Sequence, residues 1–148
     1  MTSPSVQSNV LDAIVALLVA VNSGWGAHRS RIIPFRADQL PAFNVIPEEA
    51  PAEYVGAYSG AVNWRFRYNV RCTVVGTDGV DKLADPLYVA ACQTVLADPT
   101  LGGLVLTTRV VGAKWEKEGE GLEVPLALVV TFESEFATSR SDPSVSVP

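Results

Sequence analysis

From Asn63 to Val75 the chain alternates strictly between two kinds of residue. Trp64, Phe66, Tyr68, Val70, Cys72 and Val74 interleave with Asn63, Arg65, Arg67, Asn69, Arg71 and Thr73. Period-2 patterning of this length predicts a long β-strand with one packed face and one polar face. Three of the eight arginines lie on the polar side, so whatever covers that face bears on function. The options are solvent, nucleic acid, acidic strands of the same sheet, or a partner subunit.

Other stretches carry helical spacing. Ser3 before Pro4 reads as an N-cap with proline at the first helical position, which predicts a helix over Pro4 to Val21 with Val6, Val10, Ala13, Ile14, Leu17, Leu18 and Val21 on one stripe. Leu11, Val15 and Val19 widen the buried arc, and Asn22-Ser23-Gly24 supplies the stop. A second stripe, Val80, Leu83, Ala84, Leu87, Ala91 and Val95, predicts a helix capped by Asp78 or Asp81 and reaching Ala97. Pro86 complicates it. Either the regular helix begins at Asp85, or an early kink is tolerated.

Between the helices, Ser30 to Phe35 and Ala42 to Ile46 read as short edge strands or strand ends because Pro34 and Pro41 punctuate them. Pro47 to Ala52 reads as an exposed loop, and Tyr54 to Tyr58 as a short strand or loop. Asp98 to Gly103 is a compact connection, followed by a strand from Leu104 to about Glu116, a charged tip at Lys117 to Gly121, and a strand from Glu123 to Thr138. On that last strand Leu126, Leu128, Val130, Phe132 and Phe136 face one way, and Ala127, Val129, Thr131, Glu133 and Glu135 the other. The order of elements predicts an α+β fold: a mostly antiparallel sheet, two helices packed on one face, and a long C-terminal β-hairpin. Residues 1–138 form the expected single domain, and 139–148, with serines, prolines and no periodicity, a flexible tail.

Charge narrows the options for the arginine face. Eleven basic against sixteen acidic residues give a net charge of -5, which disfavours a general phosphate-binding surface. Single-strand-binding sheets place aromatics and cations on one exposed face; here they take opposite faces. The arginines therefore have a structural reading, as cross-strand ladders with Glu133 and Glu135 or as solvated charges, and a second reading as a subunit interface. The apolar run Ala13 to Val21 has no basic residue before it, is preceded by Asp12, and is too short to span a bilayer. Cytosolic synthesis and no membrane partner are expected.

Catalytic chemistry has little to work with. His28 is the sole histidine and sits beside Arg29 and Arg31, Cys72 and Cys92 fall inside elements as small buried hydrophobes, and no metal-ligand spacing occurs. Gly102 and Gly103 follow a helix and precede a strand, the wrong order for a phosphate loop. No enzyme activity, cofactor or metal is expected.

Three segments taken together carry a resemblance: Leu40-Pro41-Ala42-Phe43-Asn44-Val45-Ile46-Pro47-Glu48-Glu49, the alternating strand, and Leu96-Ala97-Asp98-Pro99-Thr100-Leu101-Gly102-Gly103-Leu104. In that order, with an N-terminal helix and a closing hairpin bearing Trp115, they resemble the tail terminator proteins of long-tailed bacteriophages, also called minor tail or tail completion proteins. The resemblance spans roughly residues 4 to 138. It implies a structural virion protein of the tail-neck region, made in the host bacterial cytoplasm, whose hexameric ring caps the tail tube and ends its polymerisation. Its implied partners are other copies of itself, the major tail tube protein, and a head-tail connector or head-closure protein, with genomic DNA passing unbound through the lumen. Loops like Asp98 to Gly103 also occur in related neck proteins, which leaves a head-tail adaptor or head-closure role open. A ring needs two complementary surfaces on each subunit. The candidates are Arg65, Arg67 and Arg71, the loop residues Glu48, Glu49, Tyr54 and Tyr58, and the hairpin residues Lys114, Glu116, Lys117, Glu118 and Glu120. An alternative of another class is a small α+β ligand-binding domain or enzyme with a pocket between helices and sheet. That reading requires polar groups on the helix stripes, which hold Val, Leu, Ile and Ala instead.

Overall fold

The alternating segment forms strand β4, Ala61–Val74, at the heart of a six-stranded sheet. The computed structural model describes residues 3–54, 60–117 and 125–147. Around β4 lie β1 (Gly26–Arg29), β2 (Ala42–Glu49), β3 (Ala52–Tyr54), β5 (Thr107–Lys117) and β6 (Leu126–Ser139), in the order β1-β2-β4-β6-β5 with β3 also beside β4. All pairings are antiparallel except β1 with β2. With helices α1 (Val6–Val19) and α2 (Val80–Leu96), the fold is α+β and closes on the β5-β6 hairpin.

The apolar face of β4 nucleates the core. Phe66, Tyr68, Val70, Cys72 and Val74 join Leu128, Val130, Phe132 and Phe136 of β6 and Phe43 and Val45 of β2 in one apolar cluster. Both helices cover this face, α1 through Val6, Val10, Leu11, Ile14 and Leu18, and α2 through Ala84, Leu87, Ala91 and Val95. Cross-strand register puts Tyr68 opposite Phe132 with rings stacked at 6.0 Å, and Phe66 meets Phe136 edge-on at 6.4 Å. Aromatic pairs of this kind add about 0.5 to 1.5 kcal/mol beyond their buried area.

Several boundaries differ from the sequence reading, each for a local reason. The N-cap of α1 is Ser5, not Ser3, because Ser5 Oγ accepts the Ser8 N–H at 3.1 Å while the Val6 N–H donates to the Pro143 carbonyl at 3.0 Å. Neither Asp78 nor Asp81 caps α2. Gly79 takes that place with φ 58°, which costs a glycine little. Pro86 lies within the continuous helix on its solvent side. The first edge strand is Gly26–Arg29, and Ser30 to Phe35 instead begins a crossover over the arginine face, tied down by Asn44, which accepts the Arg31 N–H at 3.0 Å and donates to its carbonyl at 2.8 Å.

The expected loop Pro47 to Ala52 is largely strand. Here β2 and β3 form one interrupted edge against β4, with a register shift between Pro47 and Glu49. The edge position explains why Pro47 and Pro51 are tolerated, since the donors they lack would point to solvent. At the other end, the residues after Ser139 return along the sheet. Ser139 N–H donates to Val145 O at 2.9 Å and Val147 N–H to Ala137 O at 3.0 Å.

Candidate functional site

On the polar side of the sheet a single row of charges crosses four strands. Glu49 on β2 stands opposite Arg67 on β4, Arg67 opposite Glu133 on β6, and Glu133 opposite Arg109 on β5. Arg67 Nη1 lies 3.3 Å from Glu49 Oε1, Arg67 Nε donates to Glu133 Oε2 at 2.8 Å, and Arg109 Nη2 donates to Glu133 Oε1 at 2.7 Å. Strand geometry accounts for the alignment, because directly opposed residues share a face with Cβ atoms about 5 Å apart. Glu133 is only 1% exposed. Burial alone would raise its pKa, but the hydrogen bonds and charges of Arg67 and Arg109 outweigh that and hold the carboxyl below its usual range. The same bond to Glu133 raises the Arg67 pKa.

A second network lies towards the hairpin end. Arg71 bonds Glu116, which also takes Lys114 Nζ at 3.0 Å. The Arg71 hydrogen bond is the main reason the Glu116 carboxyl is held low, with Lys114 next. This bond reaches over β6, where Arg71 faces Val129 and Glu116 faces Ala127, side chains short enough to be spanned. Among the described residues Arg71 thus pairs with Glu116 on β5 and not with Glu133 or Glu135. Arg65 stands opposite Glu135 in register, and no ion pair forms between them. Together with Glu53 and Asn63 they border a groove of about 190 Å³.

Of the remaining candidates, Glu48, Glu49 and Tyr54 are exposed on the β2-β3 edge, and Lys114 and Lys117 are exposed on β5. Tyr58, Glu118 and Glu120 lie outside the described residues. Arg109, absent from the sequence candidates, closes the ion row. Its signal was its offset from Glu133 across the hairpin, which needs the register shift between Val110 and Gly112 to be read correctly.

The two edges of the sheet differ in character. Strand β5 is exposed along most of its length and presents Val110, Val111 and Trp115. Beyond Val45, β2 has no neighbour on its outer side among the described residues, because β1 pairs only with Ala42 to Val45. Ile32 and Ile33, at the start of the crossover, are 93% and 70% exposed.

Elsewhere the polar chemistry is internally engaged. Tyr68 Oη and Thr108 Oγ1 each lie 2.8 Å from Ser134 Oγ in a buried hydroxyl chain, and burial pushes the Tyr68 phenol up to about 12. Cys72 is buried and likewise pushed up to about 12. His28 packs its ring at 5.3 Å from Phe35, and burial, then Arg31, lowers its pKa. Asp98 accepts from the Thr100 hydroxyl at 2.8 Å and the Gly102 N–H at 2.7 Å, so the Asp98 to Gly103 segment closes on itself as a turn, with Gly102 and Gly103 at positive φ. A groove of about 410 Å³ beside the crossover is lined by Arg31, Phe35, Asn44, Ile46, Arg71 and Thr73. Among the described residues no group of three His, Cys, Asp or Glu side chains could hold a metal ion, and no helix is long and apolar enough to cross a membrane. No protein-family model matches the chain, and no curated protein matches its sequence.

Proposed function

We propose that the chain is a structural, ring-forming subunit that caps a bacteriophage tail tube, ends its polymerisation and joins tail to head. The observation that carries this reading is strand β5: eleven residues on a sheet edge with no outer neighbour strand among the described residues, exposed for most of their length and bearing Val110, Val111 and Trp115. A long exposed edge with apolar side chains is a liability in a solitary protein and an asset in one that docks against another. The arginine face favours the same reading, because Arg67, Arg71 and Arg109 are matched by carboxylates within the chain and offer little to phosphate. Its virion location, its tube and head-completion partners, its lack of enzymatic activity and the unbound passage of DNA belong to this proposal, and a head-tail adaptor or head-closure role is its nearest variant.

A second reading, a small ligand-binding domain, draws on the groove beside the crossover. Thr73 Oγ1 is buried there without a hydrogen-bond partner. Co-assembly separates the two. Tube protein from the same genome, polymerised with the chain present, should give tubes of limited length. Tubes that grow as long as in its absence would refute termination.

A further inference from the structure

The ion row ends differently at its two sides. At the β2 edge it ends on Glu49, whose side chain is 53% exposed, and at the β5 edge on Arg109, 59% exposed. Among the described residues, one carboxylate oxygen of Glu49 is engaged, and Arg109 uses Nε and Nη2 on Glu133, which leaves its Nη1 with no partner there. The signs run minus, plus, minus, plus across the sheet. A translated copy placed edge to edge would put the terminal plus of one subunit beside the terminal minus of the next.

We infer that this row is a register key for head-to-tail association of the chain with a second copy of itself, the β5 edge of one subunit seating against the β2-β3 edge of its neighbour. Charge supports the pairing. Thr107 to Lys117 holds Arg109, Lys114 and Lys117 against Glu116, whereas Ala42 to Tyr54 holds Glu48, Glu49 and Glu53 and no basic residue. Direction supports it too: β5 runs parallel to β4 and so antiparallel to β2, and the alternation of the sheet would continue across the junction. Apolar groups flank both ends, Val110 and Val111 on one side and Tyr54 on the other. Pro47, Pro51 and the register shifts at both edges confine any backbone ladder across the junction to short stretches, so side chains set its register and the contact does not template an endless sheet. Because the two surfaces are different, the association is heterologous, the type that closes rings. The inference rests on the ring-subunit reading and adds to it the two surfaces and their register.

Disulfide trapping with sedimentation velocity tests it. Residues 49 and 109 lie three strand spacings apart, about 14 Å at the usual interstrand distance, so a disulfide between them must join two subunits. Mixed Glu49→Cys and Arg109→Cys chains, each also Cys92→Ala, should form the 49–109 heterodimer in preference to either homodimer. Both substitutions remove an arm of the row, so Glu48→Cys with Val111→Cys, outside the row, repeats the test. Wild-type association should weaken about tenfold between roughly 0.05 M and 0.5 M salt. Oligomers without a cross-edge disulfide in either pair, or with homodimers preferred, would overturn the inference and leave the ring reading standing. A chain that stays monomeric at every concentration, with and without tube protein, would overturn both.

Discussion

Replacing Glu133 by glutamine should destabilise the protein by about 2 to 3 kcal/mol at neutral pH, as worked from two charge-assisted arms of about 1.5 to 3 kcal/mol each and a discount for partners that reach water. The carboxylate is 1% exposed and receives Arg67 on one oxygen and Arg109 on the other, while the two guanidinium side chains are 35% and 59% exposed. Glutamine keeps the shape and one acceptor, but it sets an NH₂ group against one of the two cations. For a chain of this length the loss corresponds to a Tm lower by roughly 4 to 12 °C. The pH dependence identifies the cause. Because the folded pKa of Glu133 lies below its unfolded value, its contribution is present above the unfolded pKa of about 4.3 and is lost as pH falls through the folded value. Calorimetry or circular dichroism melts of wild type and Glu133→Gln should therefore differ by a constant amount from pH 6 to 8 and converge in acid. A Tm difference below about 1 °C at pH 7, or a gap that persists at the acid limit, would show that the Glu133 ion pairs do not stabilise the fold.

Three further outcomes follow from the packing. Pro86→Ala, on the exposed side of α2, restores a helical donor and should raise stability by about 1 kcal/mol or more in denaturant unfolding. Tyr68→Phe should cost about 1 kcal/mol and abolish the highest-pH phenolate step in an ultraviolet titration. Since the Tyr68 pKa is about 12 in the folded chain, that part of the stability holds at neutral pH and is lost as pH rises above about 10, where the unfolded phenol ionises. With an aromatic disulfide reagent, Cys72 should stay unreactive until the chain unfolds, whereas the half-buried Cys92 should react in the native state.

Much of this was legible where a residue's environment is set by its own strand or helix. The alternation over Asn63 to Val75 gave β4 and its two faces because a period of two cannot be satisfied by a helix, and the Val, Leu and Ile stripes gave both helices. A ladder of the β4 arginines with Glu133 and Glu135 was legible as one option, opposite charges on one sheet face, but of its members only Arg67 pairs with Glu133. What escaped depended on neighbours distant in sequence. Ile32 and Ile33 have strand-forming chemistry, yet the chain there crosses over the sheet and leaves both in solvent. Pro47 argued for a loop, but an outer edge tolerates a missing donor. Arg71 finds Glu116 only because β6 lies between them with short side chains, an order no local pattern encodes. Ser134, between Phe132 and Phe136, interrupts that apolar face, and it marks the buried hydroxyl chain with Tyr68 and Thr108.

The proposed assembly is a ring of copies of this chain on the end of a tail tube. Cryo-electron microscopy of tubes assembled from the matching tube protein with this chain present tests it most directly. The expected result is one ring of density capping a tube end, with each subunit's β5 against the β2-β3 edge of the next. Tubes with bare ends, and the chain remaining in solution as 15.8 kDa monomers, would contradict it.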